Sequence, residues 1–161
     1  VNIFVLDRDP QAAALAHCDT HVVKMILETT QILCTVRHQA GDPVPDGYKP
    51  THANHPCTKW AAASLANYNW LHLLLFWLHA EYEHRYPGKV HASWRLLIPL
   101  APSLPMEGGT MTPFVFAGPE SCIRPTIVES YQALYQLKQT TMKVPMRWTK
   151  ASRPEWMDLG A

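Results

Sequence analysis

Between His17 and His38 the chain reads HCDTHVVKMILETTQILCTVRH. Steps of four and three from His17 reach His21, Lys24, Glu28, Gln31, Thr35 and His38, none of them apolar. On an α-helix these positions stack along one side. The remaining positions carry Val22, Val23, Met25, Ile26, Leu27, Ile32, Leu33 and Val36, so the pattern predicts an amphipathic helix with a broad apolar flank and a polar seam about 30 Å long at 1.5 Å per residue. The seam has two readings. It is either a solvated face, as most polar stripes are, or the floor of a site. Its residue types favour the second, because His, Lys, Glu and amide or hydroxyl groups bind ligands and move protons, whereas a solvated face usually repeats Glu, Lys and Arg.

The same pattern organises the rest of the chain. VNIFVL at positions 1–6 is read as an extended segment packed on the core, with no second convincing strand nearby. Asp9 before Pro10 is an N-cap followed by a residue suited to the first helical position. A helix therefore starts there and passes, with a break near Cys18 and Asp19, into the seam helix, which Gly41 ends. Residues 41–56 hold four Pro and two Gly and form a long loop. Pro56 opens a long helix through Trp60, Leu65, Leu71 and Leu78 to Tyr82, stopped by Pro87-Gly88. Being apolar nearly all round from Leu71 to Leu78, it is expected to be the central, buried helix. A shorter helix follows from about Val90 to Leu97, then a second Pro- and Gly-rich loop over 101–125. The last clear helix runs from Thr126 to about Thr140, with Ile127, Tyr131, Leu134, Tyr135 and Leu137 on its inner side. The expected fold is all-α: a compact single-domain bundle of about four helices over residues 1–161, with two long Pro-rich loops and a C-terminal arm from about 141 to 161.

Composition adds limits. A chain of 161 residues with 47% hydrophobic and 17% charged positions is globular and large enough for a real core. Its formal charge of +1 neither demands nor excludes nucleic acid, so any basic footprint must be local. Cys18, Cys34, Cys57 and Cys122 lie far apart with no CxxC pair, which argues against a zinc ribbon or a disulfide framework. The longest apolar run, Leu73 to Leu78, is too short to span a membrane, and positions 1–30 lack the regions of a signal peptide. The expectation is a soluble cytoplasmic protein.

Candidate chemistry then narrows. Glycine-rich phosphate loops and a nucleophile elbow are missing from the sequence. His17 and His21, with His52, His55 and Cys57 from the loop, could assemble a metal cluster, but a His pair at this spacing is more often a hydrogen-bonded seam, and no metal is assigned. Glu28, one turn from Lys24, is either a working carboxylate or half of a helical ion pair worth a few tenths of a kcal/mol; the sequence leaves both open. In the tail, Lys138, Lys143, Arg147, Lys150 and Arg153 alternate with Trp148 and Trp156. Such an arm suits phosphates and bases, or is simply stapled to the core by its Trp residues.

An extended N-terminus, a helix with Glu28 on its polar face, a loop ending Asn54-His55-Pro56, a helix ending Glu81-Tyr82-x-x-Arg85-Tyr86 and a tail with Arg153-Pro154-x-Trp156 together resemble the pyrimidine-dimer DNA glycosylases of phages and bacteria, the endonuclease V type. The chain also resembles uncharacterised phage proteins sharing DxHxxKMxLE and NHPxxxW. The resemblance implies a DNA glycosylase with abasic-site lyase activity on damaged or modified pyrimidines in double-stranded DNA, acting as a monomer without metal or other cofactor. It makes the α-amine of Val1 the nucleophile, forming a Schiff base with the sugar, and Glu28 the assisting carboxylate. An α-amine suits this, since its reference pKa of about 7.7 to 8.0 leaves a useful neutral fraction. His17, His21 and Lys24 would contact phosphates or orient the sugar, and His52, Asn54, His55, Arg153 and Trp156 would grip bent DNA with a base turned out. The chain departs from the family pattern in beginning with Val in place of Thr, and in having Lys24 as the only cation on the seam where the family places Arg beside the Glu. Two other readings remain: an enzyme modifying thymine-type bases in phage DNA, and a non-catalytic module binding DNA or protein.

Overall fold

The structure, a computed structural model, describes residues 1–102 and 109–159. Residues 103–108 of the second predicted loop lie outside the described residues. The described residues form five α-helices and no strand: α1 (Pro10–Ala16), α2 (Asp19–Gln39), α3 (Pro56–Ala63), α4 (Leu65–Arg85) and α5 (Ile127–Thr141), with short 3₁₀ turns at Ala92–Leu96, Glu120–Cys122 and Glu155–Asp158. Helix α4 packs against α1, α2 and α3 and is the centre of the fold. The opening segment is extended, and Ile3, Phe4, Val5 and Leu6 are all buried. All four cysteines are buried and free.

Helix α1 starts as its local signals require, with Asp9 accepting from the Ala12 N–H at 3.2 Å and Pro10 in first position. The break that follows is held from outside. His17 and Cys18 adopt extended backbone, which leaves the last carbonyls of α1 without helical partners. The guanidinium of Arg85, wholly buried at the end of α4, donates to the carbonyls of Leu15 at 3.0 Å and His17 at 2.7 Å. It also pairs with Asp19 at 3.1 Å and Glu81 at 3.0 Å. The Trp148 indole N–H takes the Ala16 carbonyl at 2.9 Å, and Asp19 binds the backbone N–H and hydroxyl of Thr149 at 2.9 and 2.6 Å. The C-terminal arm is thereby locked onto the α1–α2 junction. Trp148 acts there as a staple, and Gln136 holds the carbonyl of Trp156 at 2.6 Å.

Several expectations need correction. The single long helix from Pro56 is two helices. Ser64, at φ −157° and ψ 158°, ends α3 and caps α4 by accepting from the Asn67 N–H at 3.1 Å. Asn67 in turn donates to the Trp60 carbonyl and the Thr112 hydroxyl, both at 2.7 Å. The helix expected at Val90–Leu97 is a 3₁₀ turn, capped by His91 accepting from the Ser93 N–H at 3.0 Å. Although α4 is central, Leu73 and Phe76 face outward, and so do Val23 and Leu27 of α2 and Leu137 of α5. The polar seam is not one continuous face. His17 precedes α2 and is fully buried; Thr35 is buried and tethers Thr51 of the loop by bonds of 3.1 and 3.2 Å; His38 is exposed.

Candidate active site

The middle of the seam, His21, Lys24 and Glu28, lines a cavity. Extended residues 1–6 lie beside α2, and the Val1 amine comes to 3.2 Å from Glu28 Oε1, a carboxylate whose side chain is 16% exposed. Around this pair is a small cavity of about 140 Å³ lined by Val1, Asn2, Phe4, His21, Lys24, Met25, Glu28 and Lys138. Larger cavities lie elsewhere, one walled by Phe76, Trp94 and Ile98 and another by Arg8, Phe114 and Phe116, neither lined by a carboxylate or an amino group, while one of about 150 Å³ is lined by Glu83 and Lys89. Size therefore does not mark the chemistry.

His21 forms one wall. Its ring stacks on Phe4 with centroids 4.8 Å apart, and its Nδ1 lies 2.8 Å from the Tyr135 hydroxyl, which also receives the Cys18 N–H at 3.2 Å. Burial, reinforced by the nearby charges of His17, Lys138 and Lys24, pushes its pKa down to about 3. At neutral pH it is thus an uncharged wall rather than a cation. Positive charge comes from the exposed Lys24 and from Lys138 of α5, whose Nζ sits 5.8 Å from the Phe4 ring centroid. Lys138 stands out in the sequence only as one of the basic residues near the arm, with nothing to tie it to the seam helix.

The loop residues lie at differing depths. His55 caps α3, accepting from the Cys57 N–H at 3.1 Å. The charges of the Val1 amine and Glu28 both act on it; burial, the amine and His52 lower its pKa, and Glu28 raises it. His52, exposed at φ +50°, meets the Thr51 hydroxyl at 2.8 Å, and Asn54 is exposed. His17 is placed apart from the cavity. Its ring is fully buried, with Nδ1 2.6 Å from the Ala13 carbonyl and a pKa lowered to about 4 chiefly by burial. It has no surface to offer a phosphate. Arg153 is exposed over the Trp148 ring and pairs with Asp158 at 2.9 Å and Gln139 at 2.7 Å, while Trp156 is half-buried with its ring 6.0 Å from that of Tyr135. Both help to pack the arm on itself and on α5. No three His, Cys, Asp or Glu side chains converge on a metal geometry among the described residues, and no described helix is long and apolar enough to cross a membrane.

An amine and a carboxylate at hydrogen-bond distance, beside a neutral imidazole and under two lysines, can in principle join nucleophilic attack to proton transfer on an anionic substrate. A family profile described as pyrimidine dimer DNA glycosylase matches residues 1–95. That range holds α1 to α4 with Val1, His21, Lys24, Glu28 and His55, and leaves α5 and the arm outside it. No curated protein and no solved structure matches the chain. Since the match spans more than half of the sequence, the chain belongs to the pyrimidine dimer DNA glycosylase family.

Proposed function

We propose that the protein is a DNA glycosylase with abasic-site lyase activity, in which the Val1 amine is the nucleophile and Glu28 the assisting carboxylate. The observation that carries this reading is the 3.2 Å contact between the two groups inside the polar cavity. In its neutral form the amine attacks C1′ of a pyrimidine nucleotide turned out of the duplex. The N–C1′ bond forms as the glycosidic bond breaks, and the base leaves with the bonding pair and gains a proton. Opening of the sugar ring gives a protonated Schiff base between Val1 and C1′. Glu28, which first stabilises positive charge on the sugar, then takes a proton from C2′, and the electron pair expels the 3′ phosphate. Hydrolysis of the imine frees the amine. Lys24 and Lys138 are suited to hold the flanking phosphates, His21 to offer an uncharged hydrogen-bonding edge to the sugar, and His52, Asn54 and His55 to contact the strand beside it.

The test is covalent capture. With the mature N-terminus established by intact mass, a duplex carrying an abasic site and borohydride should yield a stable protein–DNA adduct. Glu28→Gln should lower strand cleavage by about 100-fold or more while DNA affinity stays within about threefold. Salt-sensitive binding without any adduct would overturn the catalytic reading in favour of a binding module.

A further inference from the structure

We propose that Asn2 is the positioning residue for this nucleophile, a clamp that fixes the reach of the Val1 amine by tying the second residue to three separate parts of the fold. The inference rests on the amine reading above and assigns to that site a group outside its reacting pair.

A chain terminus is ordinarily the least ordered part of a domain unless something ties it down. Burial of Ile3 to Leu6 anchors the segment as a whole, and the Asn2 side chain anchors its first peptide unit. Asn2 Oδ1 accepts from the Ile3 N–H at 2.8 Å and the Cys57 thiol of α3 at 3.6 Å, and the Tyr131 hydroxyl of α5 faces it at 2.9 Å. Asn2 Nδ2 donates to the Ala117 carbonyl at 2.8 Å. The Tyr131 hydroxyl also receives the Ala117 N–H at 3.1 Å and lies 3.0 Å from the Val115 carbonyl, so the same clamp gathers the 115–117 segment. Tyr131 and Cys57 are fully buried, which keeps water from competing. Burial pushes the Cys57 thiol up to about 11 and raises the Tyr131 phenol as well, so both remain protonated across any working pH.

The geometric consequence is specific. Beyond the anchored Asn2 lies one planar peptide unit, so the Val1 Cα sits about 3.8 Å from that of Asn2 and the amine one bond of about 1.5 Å further, with few torsions left free. Glu28 then meets it at 3.2 Å. Reaction at a sugar carbon depends on such placement, and a misplacement of about 1 Å can cost about 100-fold in rate. Neither neighbouring chemistry substitutes for the amide. Ser is too short to bridge Tyr131 and Ala117. Asp sets a second oxygen against the Ala117 carbonyl and adds a negative charge one residue from the amine.

The experiment is single-turnover adduct formation by the full chain on an abasic-site duplex with borohydride, across pH, for the wild type, Asn2→Ala and Asn2→Asp, with melting temperature measured in parallel. Asn2→Ala should lower the rate constant about tenfold or more while half-saturating DNA concentration stays within about threefold. Asn2→Asp should move the pH midpoint of adduct formation upward by about half a unit, because its carboxylate favours the ammonium form, with rate partly recovered at alkaline pH. The added charge moves that midpoint whatever Asn2 holds in place, so placement is read from the plateau rate at alkaline pH, where the amine is neutral: Asn2→Asp should stay about tenfold or more below wild type there. A purely structural role would lower the melting temperature and leave that plateau rate at the wild-type value. If Asn2→Ala does not fold, the plateau rate of Asn2→Asp decides. A wild-type plateau rate in either variant overturns the inference. Chemical blocking of the amine is the separate control: an adduct that persists after blocking overturns the amine reading itself.

Discussion

Replacing Arg85 with Met removes the guanidinium that ties the end of α4 to the α1–α2 junction. The guanidinium is fully buried, pairs with Asp19 and Glu81, and caps the carbonyls of Leu15 and His17. Met keeps much of the apolar stem and supplies none of the donors. Removing one partner of a buried ion pair typically costs about 3–5 kcal/mol, because the other charge is left uncompensated. The two stranded carbonyls add about 1 kcal/mol each where water does not reach them, less what the Met packing returns. The expected loss is about 4–6 kcal/mol, a large share of the stability of about 5–15 kcal/mol usual for a domain. For a chain of this size that corresponds to a fall in Tm of about 10–20 °C. Urea unfolding followed by tryptophan fluorescence, with calorimetry for Tm, measures it. Arg153→Met is the control, since Arg153 is exposed and its contacts with Asp158, Gln139 and the Trp148 ring lie in solvent, so its loss should cost no more than about 1 kcal/mol. A loss below about 2 kcal/mol for Arg85→Met would show that solvent already satisfies Asp19 and Glu81 and that packing, with the Trp148 and Thr149 bonds, holds the junction without the guanidinium.

Acid should destabilise the protein through its buried histidines. Burial holds His17 and His79 at about 4 and His21 at about 3. Between pH 6.5 and these values the unfolded chain binds protons that the folded chain refuses. Stability is therefore full above pH 6.5 and falls as the pH drops, by about 2 kcal/mol per histidine at pH 5. A Tm that stays flat from pH 7.5 to 5, or a His79→Phe variant with an unchanged slope, would contradict this. Lys138→Met should weaken DNA binding and reduce the slope of log affinity against log salt by about one phosphate contact; an unchanged slope would place Lys138 off the DNA path. Ser64→Ala should cost about 1 kcal/mol in urea unfolding through loss of the α4 cap, and no loss would mean that Asn67 alone sets the break.

The family match ends at Arg95, yet the cavity draws on residues beyond it. Lys138 edges the site, Tyr131 faces Asn2, and Tyr135 holds His21. The Val1–Glu28 pair thus lies within the matched range, and α5 packs against the candidate site from outside it.

What the sequence determined by itself was local. Asp9-Pro10 and Pro56 mark helix starts because caps and Pro act through backbone geometry a few residues away. The extended apolar opening and the polar positions His21, Lys24 and Glu28 are equally legible, and the resemblance paired Val1 with Glu28. Tertiary structure decided the rest. Nothing in Ala61-Ala62-Ala63-Ser64-Leu65 breaks a helix by propensity; the break follows from Ser64 capping Asn67 while Asn67 reaches Thr112. His17 shares the seam's spacing, but the α1–α2 turn carries it into the core. Lys138 joins Lys24 only because α5 packs beside the opening segment. Periodicity tells which side of a helix is polar; only the packing of one helix on another tells what that side faces.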